Sequence, residues 1–536
     1  MRIIPRFSVY FLICFFLVAC SSVTNPEEQN PPQVKNVILI IGDGMGPQQV
    51  GLLLSYARQA PHSVLPTRTT AFDRLLEHGR LGLSLTHAAN ALVTDSAASA
   101  SQLATGYPAG AEMIGLDEFG NARENIVETA QRLGKMTGLV SDTRITHATP
   151  AAFAAHQSHR SLENEIAEDL LHTGPDVLFS GGLNNWLPQQ ANDKKSAIYR
   201  QLSSLIGSGI GFSSQRKDDK NLLELAQKQG YTLAFTKRQM QQAQDKTLGL
   251  FAASAMQNGI VETQSKNNPE RTEPTLAEMA ASALDILSKN NRGFFLMIEG
   301  GQIDWAGHKN DTGLLLHEML RFNAMLEQVL DWAKKRDDTL IIVTADHETG
   351  GFGFSYSAHD IPAPRALPGA FFADKVLFKP SFNFGNPETL DKLYAQKMSY
   401  TDIFTHFDAL PKNQQTPSRL AEWVNQNTAF AISETQAEKI LATESNPLYR
   451  KGHPLFGAKR IPKMAVNSSF FVYQSDNREN LLAQAVATSQ QAVWSTGTHT
   501  STPVYLFVQG PKPSLKAFSK ILHHTDVGRL AIEALQ

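Results

Sequence analysis

Short, nearly uninterrupted apolar runs recur along this chain, and each is followed by a turn and a longer stretch with helical periodicity. The first run, Val-Ile-Leu-Ile-Ile at residues 37–41, is rich in the β-branched residues typical of a parallel strand buried on both faces. Comparable runs lie at residues 137–140, 176–179, 294–298, 340–343 and 504–508. This alternation predicts an α/β fold with a central, mostly parallel sheet flanked by helices on both faces.

The composition restricts the class of protein. The chain has 536 residues, with 49 Lys and Arg against 51 Asp and Glu, which leaves a net charge of −2. Such a length can bury a large core without disulfides. Near-neutral charge argues against a nucleic-acid-binding protein, which needs a basic face for phosphates. A mean hydropathy of −0.24, with a single long apolar stretch, excludes a protein that crosses the membrane many times.

That apolar stretch is at the N-terminus and predicts export. Two arginines precede an apolar run over residues 9–19, which is too short for a comfortable membrane span and is typical of a signal peptide. The run ends in Leu-Val-Ala-Cys, which resembles a bacterial lipoprotein box with Cys20 as the lipidated first residue of the mature chain. The alternative is an ordinary cleaved signal with an incidental cysteine. Ser21 resembles the signal for the outer membrane, so its periplasmic face is the expected location.

These features divide the chain into segments. Residues 1–19 are predicted to be a lipoprotein signal peptide, residues 20–34 a polar, Pro-rich flexible tether, and residues 35–536 the folded region. Within the folded region, residues 360–490 are far longer than a simple connection needs. We therefore predict that they form an insertion that folds against the main domain. Residues 184–240 are rich in Lys and Gln and predict helical, solvated surface.

Acidic and histidine side chains follow several predicted strands at the point where each ends: Asp43 after the first run, Glu299, Asp304 and His308 after residues 294–298, and Asp346 and His347 after residues 340–343. In open α/β sheets, ligands bind beyond the carboxyl ends of the strands. A single aspartate there is most often a helix cap or turn residue. Several carboxylates held together repel one another unless cations neutralise them. The pattern therefore predicts a metal site.

The spacing and the donor types of these residues indicate which metal they could bind. Asp304 and His308 are four residues apart, which places both on one face of a helix, as in other zinc motifs. Adjacent Asp346 and His347 would point to opposite faces of a strand, so both reach a metal only from an irregular loop, which residues 348–351 are expected to supply. Carboxylate oxygens mixed with imidazole suit zinc or a mixture of zinc and magnesium.

Ser96 opens an Ala-rich, helix-prone stretch directly after Asp95. At a helix N-terminus it would meet free backbone amides and the positive end of the helix dipole, which favour an anion such as phosphate. Simple capping of the helix by Ser96 or Asp95 is the alternative. Because no Gly-x-Ser-x-Gly motif surrounds Ser96, a Ser-His-Asp hydrolase is poorly supported, and a metal would have to activate the hydroxyl.

Six short motifs appear in the order in which alkaline phosphatases have them: GDGMG at 42–46, TDSAAS at 94–99, HATP at 147–150, EGGQID at 299–304, TADH at 344–347 and GTHT at 497–500. The chain therefore resembles the alkaline phosphatase family over about residues 35–360 and 490–536. The resemblance implies that residues 35–536 are a catalytic domain with a crown-like region at about 360–490. It also implies hydrolysis of phosphate monoesters through a phosphoserine on Ser96, with broad specificity.

The resemblance further implies two Zn²⁺ and one Mg²⁺ per active site. The implied ligands form three groups: Asp304, His308 and His499 for the first zinc, Asp43, Asp346 and His347 with the Ser96 oxygen for the second, and Asp43, Thr149 and Glu299 for the magnesium. Arg160 matches the arginine that clamps the substrate phosphate, a role that suits its planar fork. Without the resemblance, a surface salt bridge would be the simpler interpretation of Arg160.

Two positions depart from the best-known family pattern. His147 stands where some members have an aspartate near the magnesium, and Trp305 stands where they have a lysine or histidine near the phosphate. Some bacterial members share this His/Trp combination, and both positions bear on how tightly magnesium and product phosphate bind. The remaining histidines, including His317 and the His523–His524 pair, are interpreted as surface or core residues.

Because family members are commonly homodimers, the resemblance implies a homodimer with the insertion over its interface; a lid confined to one chain is the alternative. A phosphodiesterase or sulfatase of the same superfamily is the first rival function, although phosphodiesterases generally lack the magnesium set. A lipid-anchored binding protein with an inactive site is the second.

Overall fold

The computed structural model describes residues 34–536. The predicted signal peptide, nearly all of the tether and Cys20 lie outside the described residues, so they stay predictions. The strands are β1 Asn36–Gly42, β2 Arg80–Leu85, β3 Met136–Arg144, β4 Val177–Gly181, β5 Thr232–Ala234, β6 Thr247–Leu250, β7 Phe294–Gly300, β8 Thr339–Ala345, β9 Glu348–Thr349, β10 Gly353–Phe354, β11 Thr443–Ser445, β12 Arg460–Pro462, β13 Ala492–Val493, β14 His499–Thr500, β15 Val504–Gln509 and β16 Ile521–His523.

The helices alternate with these strands. They are α1 Pro47–Gln59, α2 Ala71–His78, α3 Ser96–Thr105, α4 Ile126–Arg132, α5 Ala148–Ala152, α6 Glu163–Thr173, α7 Ala197–Ile206, α8 Leu222–Lys228, α9 Lys237–Gln242, α10 Gly259–Ser265, α11 Leu276–Leu287, α12 Gln302–His308, α13 Thr312–Ala333, α14 Glu388–Tyr394, α15 Tyr400–Asp408, α16 Pro417–Asn427, α17 Glu434–Leu441, α18 Asn477–Gln490, α19 Lys512–Phe518 and α20 His524–Leu535. Short 3₁₀ turns lie at Leu183–Asn185, Gln189–Asn192, Ala370–Phe372, Lys412–Gln414 and Ser468–Phe470.

Ten strands form one sheet, in the order β16-β2-β15-β8-β1-β7-β3-β4-β6-β5. The pairs around β1 and toward the β5 edge are parallel, and so is the pair of β16 with β2. Within this ten-stranded sheet, only β15 runs antiparallel to its neighbours, β2 and β8. The prediction of a central, mostly parallel sheet is confirmed.

The two faces of the sheet are covered by separate apolar cores. Ile38 and Ile40 of β1 belong to a core that includes residues of α11 and α13. Val37, Leu39 and Ile41 belong to a second core that includes residues of α3, α4 and α20. Successive side chains of a strand point to opposite faces, so the continuous apolar run of β1 serves both cores. Burial on both faces explains the absence of polar residues from this run.

The region 360–490 contributes α14 to α18 and the hairpin of β11 with β12. Leu390, Tyr400 and Phe404 of this region share one apolar core with Phe322 of α13. The region therefore packs on the main domain through a common core. Whether it extends over a second subunit stays a prediction.

The polar segment 184–240 differs from its expected form. It carries α7 and α8, but it also contains β5, which is the edge strand of the central sheet. Trp186, Leu202 and Leu223 of this segment are buried. The segment is amphipathic, but its apolar side chains are widely spaced among many Lys and Gln residues. The sequence pattern therefore did not indicate β5 or the buried side chains.

Within residues 34–536, no helix is long and apolar enough to cross a membrane.

Candidate active site

Three carboxylates meet where the central strands end. The register pairs Gly42 of β1 with Gly300 of β7 on one side and Ala345 of β8 on the other. Asp43 follows β1 at once, Asp346 follows β8 at once, and Glu299 is the next-to-last residue of β7, and all three are fully buried. The parallel pairing of these strands therefore brings Asp43 together with Glu299 and Asp346, which lie 256 and 303 residues further along the chain.

The first cluster of candidate ligands comprises Asp304, His308 and His499. Asp304 and His308 lie one turn apart on α12, with His308 Nε2 at 3.1 Å from Asp304 Oδ2. His499 Nε2 lies 3.1 Å from His308 Nε2. His499 arrives from β14, which pairs with β9 and sets His499 opposite Thr349. The donor atoms of the cluster lie within 4.8 Å of one another, a spacing that suits one shared cation.

The second cluster comprises Asp43, Asp346 and His347. His347 Nε2 lies 3.4 Å from Asp43 Oδ1 and 3.2 Å from Asp346 Oδ2. The His347 ring also stacks on that of His499, with ring centroids 3.5 Å apart, so the first two clusters adjoin. Asp346 and His347 lie in an irregular step between β8 and β9, as expected. The step is shorter than predicted, because Glu348 and Thr349 already form β9.

A third cluster forms around Asp43 and Glu299. Carboxylate oxygens of both lie within 4.8 Å of a ring nitrogen of His147. Thr149 donates a hydrogen bond of 3.4 Å to Asp43 Oδ2, so the set expected for magnesium comes together. Thr143 Oγ1 donates a hydrogen bond of 3.2 Å to Glu299 Oε2. His147 adds an imidazole to a set that otherwise consists of oxygens.

Ser96 is the first residue of α3, and Asp95 is its cap. The Asp95 carboxylate accepts hydrogen bonds of 3.2 Å from the backbone N–H groups of Ala97 and Ala98. Of the two capping residues the sequence allowed, the structure selects Asp95. The Ser96 hydroxyl does not cap the helix and lies 3.2 Å from His347 Nε2, beside the second cluster.

Arg160 lies beside Ser96 rather than on the outer surface. Its Nη1 donates a hydrogen bond of 3.0 Å to Asp95 Oδ2, and its Nη2 lies 3.2 Å from His147 Nε2. Burial opposes the charge of Asp95, but the Arg160 guanidinium holds the pKa of Asp95 below its ordinary value. The salt bridge that sequence alone suggested for Arg160 therefore exists, and it positions Arg160 within the site.

A cavity of about 390 Å³ gives access to these groups. Ser96, Arg160 and His499 line it, together with Trp305. The indole of Trp305 meets the ring of His147 edge-on, with centroids 5.9 Å apart. Trp305 thus presents an apolar ring to the cavity where a lysine or histidine would present a cation.

The buried charge fits divalent cations. Asp43 Oδ1, Asp346 Oδ2, Glu299 Oε1 and His147 Nδ1 are buried and have no hydrogen-bond partner among residues 34–536. Burial raises the pKa of Glu299 to about 8 and that of Asp346 to about 7, and neighbouring carboxylates add to the effect. Cations would offset this repulsion and occupy the free lone pairs. Carboxylate oxygens with imidazoles are ligands that zinc and magnesium accept.

Residues outside the predicted ligand set hold the candidate ligands in place. Thr349 Oγ1 donates a hydrogen bond of 2.5 Å to Asp304 Oδ1 and lies 3.2 Å from His347 Nδ1. His524 is fully buried, and its Nε2 lies 2.8 Å from the carbonyl oxygen of Asp346. Ser99 Oγ donates to the same carbonyl at 2.6 Å. Only Thr349 carried a signal in the sequence, because it follows the Asp-His-Glu run.

Gly44 makes the approach of α12 to β1 possible. Its φ of +71° lies in the left-handed region that favours glycine. A Cβ there would lie 2.7 Å from the Asp304 Cα and 2.8 Å from Thr349 Oγ1. Gly44 of the GDGMG motif therefore permits the close packing of the first cluster of candidate ligands against the loop after β1.

Comparisons with known proteins identify the family of this chain. The alkaline phosphatase family model matches residues 34–536. Alkaline phosphatase 4 of Bacillus subtilis (strain 168) is 34% identical over 359 residues, which cover 65% of this chain and 70% of that protein. The crystal structure of Thermus thermophilus alkaline phosphatase has a TM-score of 0.70 at 24% identity and covers 97% of this chain and 96% of its own.

A third similar structure is that of a variant enzyme. It is a variant of the alkaline phosphatase from the Antarctic bacterium TAB5, with a histidine replaced by aspartate, described with Mg bound in its M3 site. It has a TM-score of 0.57 at 22% identity and covers 94% of this chain and 99% of its own. Because the family model spans every described residue, this chain belongs to the alkaline phosphatase family and is a metal-dependent phosphatase.

Proposed function

We propose that this enzyme hydrolyses phosphate monoesters in two displacements through a phosphoserine on Ser96. In the first, Ser96 Oγ forms a bond to phosphorus while the bond from phosphorus to the ester oxygen breaks, and the alcohol leaves with a proton. In the second, water attacks phosphorus, the bond to Ser96 Oγ breaks, and inorganic phosphate is released. The observation that carries the proposal is the position of the Ser96 hydroxyl. It does not cap α3, it lies 3.2 Å from His347 Nε2, and Ser96 lines the cavity.

Arg160 and the start of α3 provide the groups that hold the phosphate. Asp95 orients the guanidinium by a 3.0 Å hydrogen bond, so little rotamer freedom is lost when phosphate binds. The Ala97 and Ala98 amides of α3 already donate to Asp95, so the helix acts through the positive end of its dipole, which favours negative charge beside Ser96. These groups address the phosphate rather than the alcohol, which supports broad specificity for the leaving group.

We propose two Zn²⁺ and one Mg²⁺ as the cofactors. Asp304, His308 and His499 would hold one zinc, Asp43, Asp346 and His347 the other, and Asp43, Thr149 and Glu299 the magnesium. When bound there, the cations would lower the pKa of the Ser96 hydroxyl and offset the charge on the entering and leaving oxygens. The unpaired oxygens of Asp43, Asp346 and Glu299 support this assignment.

The phosphoserine is tested by trapping it. Acid quenching during turnover of ³²P-labelled substrate should leave label on the wild-type protein and none on Ser96→Ala. Ser101→Ala is the matched control, because the Ser101 hydroxyl lies on the same helix and contacts the Met113 carbonyl and the Gly115 amide instead of the clusters. Normal phosphate release by Ser96→Ala, without a labelled adduct, would show that Ser96 is not the nucleophile.

A substrate panel with metal analysis separates the rival functions. We expect p-nitrophenyl phosphate to be hydrolysed much faster than bis(p-nitrophenyl) phosphate or p-nitrophenyl sulfate. Elemental analysis should find zinc and magnesium, and removing them should abolish activity until both are returned. Fast diester or sulfate hydrolysis would favour the first rival. Absence of metal and of activity after metal addition would favour the binding protein.

We also propose that the enzyme is exported and anchored to the membrane by a lipid on Cys20, on the periplasmic face of the outer membrane. The described chain enters β1 at the amino end of this strand, whereas the active site lies beyond its carboxyl end. This position supports a tether that leaves the cavity open. Membrane fractionation should find wild-type enzyme with the outer membrane and Cys20→Ala in the soluble fraction. Wild-type enzyme in the cytosol would refute this location.

A further inference from the structure

Three residues that add apolar surface to the lining of the active-site cavity have no part in the proposed phosphate chemistry. They are Trp305 and two residues of the region 360–490, Leu455 and Tyr473, and together they are here named the apolar wall. Leu455 is 41% exposed. Apolar side chains that line a cavity beside charged reacting groups are typical of a surface that contacts part of a ligand.

Both rings of the apolar wall are held against histidines of the site. Trp305 meets His147 edge-on at 5.9 Å, and Tyr473 meets His308 edge-on at 4.7 Å. Edge-to-face contacts at such distances are favourable. The two rings therefore have fixed positions relative to the groups that surround the phosphate.

Hydrogen bonds on both sides of Tyr473 hold its segment in place. The carbonyl of Phe470 accepts hydrogen bonds from Thr496 Oγ1 at 2.7 Å and from the Gly497 amide at 3.2 Å, just before His499. The buried amides of Asn446 and Gln474 exchange hydrogen bonds of 2.9 and 3.1 Å. These bonds tie the turn between β11 and β12 to the segment before α18. The apolar wall is thus formed before any ligand binds, which lowers the entropy cost of binding.

The charged residues around the same cavity limit which leaving groups can bind at the apolar wall. In the lining, Asp95 pairs with Arg160, and Asp304 belongs to the first cluster. The remaining charged groups of the lining are the carboxylates of Glu112 and Asp476 and the ammonium of Lys309. A leaving group with its own negative charge would meet a net negative rim. An uncharged leaving group would not.

We propose that the apolar wall is a leaving-group subsite that favours phosphate esters of uncharged alcohols bearing a flat apolar ring. This inference rests on the proposed phosphatase activity and names the preferred substrates of the same site. Other esters remain substrates, because the apolar wall adds affinity for a ring without closing the cavity.

The test compares benzyl phosphate with ethyl phosphate, whose alcohols have similar acidity. The quantity measured is the ratio of their kcat/KM values, which does not depend on the fraction of active enzyme. We expect the wild-type ratio to favour benzyl phosphate about tenfold, the lower end of the effect of one methylene group in a hydrophobic pocket, because the apolar wall is partly open to solvent. Leu455→Ala and Tyr473→Ala should each remove most of this preference, whereas Tyr473→Phe should keep it because the ring remains.

Tyr449→Ala provides the matched control, since Tyr449 is an exposed aromatic residue of the same region outside the cavity lining. It should leave the ratio unchanged. A wild-type ratio near one, or an unchanged ratio in both Leu455→Ala and Tyr473→Ala, would overturn the proposed subsite. Failure of the proposed function is a different result, in which wild-type enzyme hydrolyses neither ester.

Discussion

At the scale of single residues, side chains outside the set of candidate metal ligands fix the positions of those ligands through hydrogen bonds. Thr349 contacts Asp304 of the first cluster and His347 of the second, so one hydroxyl orients both. His524 and Ser99 hold the carbonyl of Asp346 from the far side. Partners of this kind set ring orientation and ligand basicity, so they affect metal affinity without touching the metal.

We predict that Thr349→Val weakens metal retention about 10- to 100-fold, because the isosteric change removes the hydroxyl that orients both clusters. The measurement is the fraction of zinc kept against increasing chelator. Thr105→Val is the control, since the Thr105 hydroxyl donates to the Ser101 carbonyl within α3. Zinc retention equal to that of the wild type would contradict the role assigned to Thr349.

A second residue-scale prediction concerns Arg160. Arg160→Lys keeps a positive charge but loses the planar fork that suits two phosphate oxygens. We expect inhibition by inorganic phosphate to weaken about tenfold and KM to rise, while the labelled phosphoserine still forms. The measurement is the inhibition constant for phosphate. Unchanged inhibition would show that Arg160 does not hold the phosphate.

At the scale of secondary-structure elements, two short pieces complete the site. The two-residue strand β9 pairs with β14 and delivers His499 to α12. The helix α12 starts immediately after β7 and presents Asp304 and His308 on one face. Periodicity predicted the spacing on α12. It did not predict β9 or β14, because two-residue strands carry no periodic pattern.

The helix α11, which packs on α13 beneath the sheet, offers a pH-dependent test. Glu278 closes its capping box by accepting from the Thr275 amide, and it pairs with Arg271 at 2.9 Å and Lys237 at 2.6 Å. Burial opposes these bonds, yet together they lower the pKa of Glu278 to about 2, from an ordinary value of 4.5. A depressed carboxylate pKa stabilises the folded state above pH 4.5, and this stability is lost as the pH falls toward 2.

We therefore predict that Glu278→Gln lowers the free energy of unfolding at pH 7 by about 1 kcal/mol, after allowance for solvent screening of a half-buried group. The difference from wild type should shrink as the pH falls below the ordinary glutamate value. Urea unfolding at several pH values measures it. Glu224→Gln is the control, because its pair with Lys228 is exposed. A difference that grows toward acid pH would have the wrong sign.

At the scale of the whole molecule, an exposed apolar patch bears on assembly. Phe354, Tyr356, Phe382 and Phe384 lie close together, and Tyr356 and Phe384 are 59% and 69% exposed. Phe354, Tyr356 and Phe384 line a cavity of about 490 Å³ that contains no charged side chain, so it does not compete with the active site as a place for phosphate. Exposed aromatic patches of this kind mark contacts with other proteins.

We predict that this patch contributes to the homodimer that the family resemblance implies. Sedimentation should show a dimer for the wild type and a shift toward monomer for Phe384→Asp, because a charge would be buried at the contact. Phe119→Asp is the control, since Phe119 is 79% exposed and lies elsewhere in the chain. A wild-type monomer, or a dimer unaffected by Phe384→Asp, would contradict the prediction.

The sequence by itself determined the parts of this protein that depend on neighbouring residues. Apolar runs such as residues 37–41 predicted buried strands, and the spacing of Asp304 and His308 predicted a shared helical face, because side-chain direction repeats locally. The donor chemistry of the ligands was also evident from residue type and motif order. These features predicted the sheet, the family and the ligand set.

Only the tertiary structure decided which distant residues meet. The strand order places β1 between β7 and β8, and this order joins Asp43 to Glu299 and Asp346. The support of Asp346 by His524 and the placement of Tyr473 beside His308 likewise depend on contacts across 178 and 165 residues. Such contacts follow from how whole elements share a buried core, and no local pattern in the chain encodes that choice.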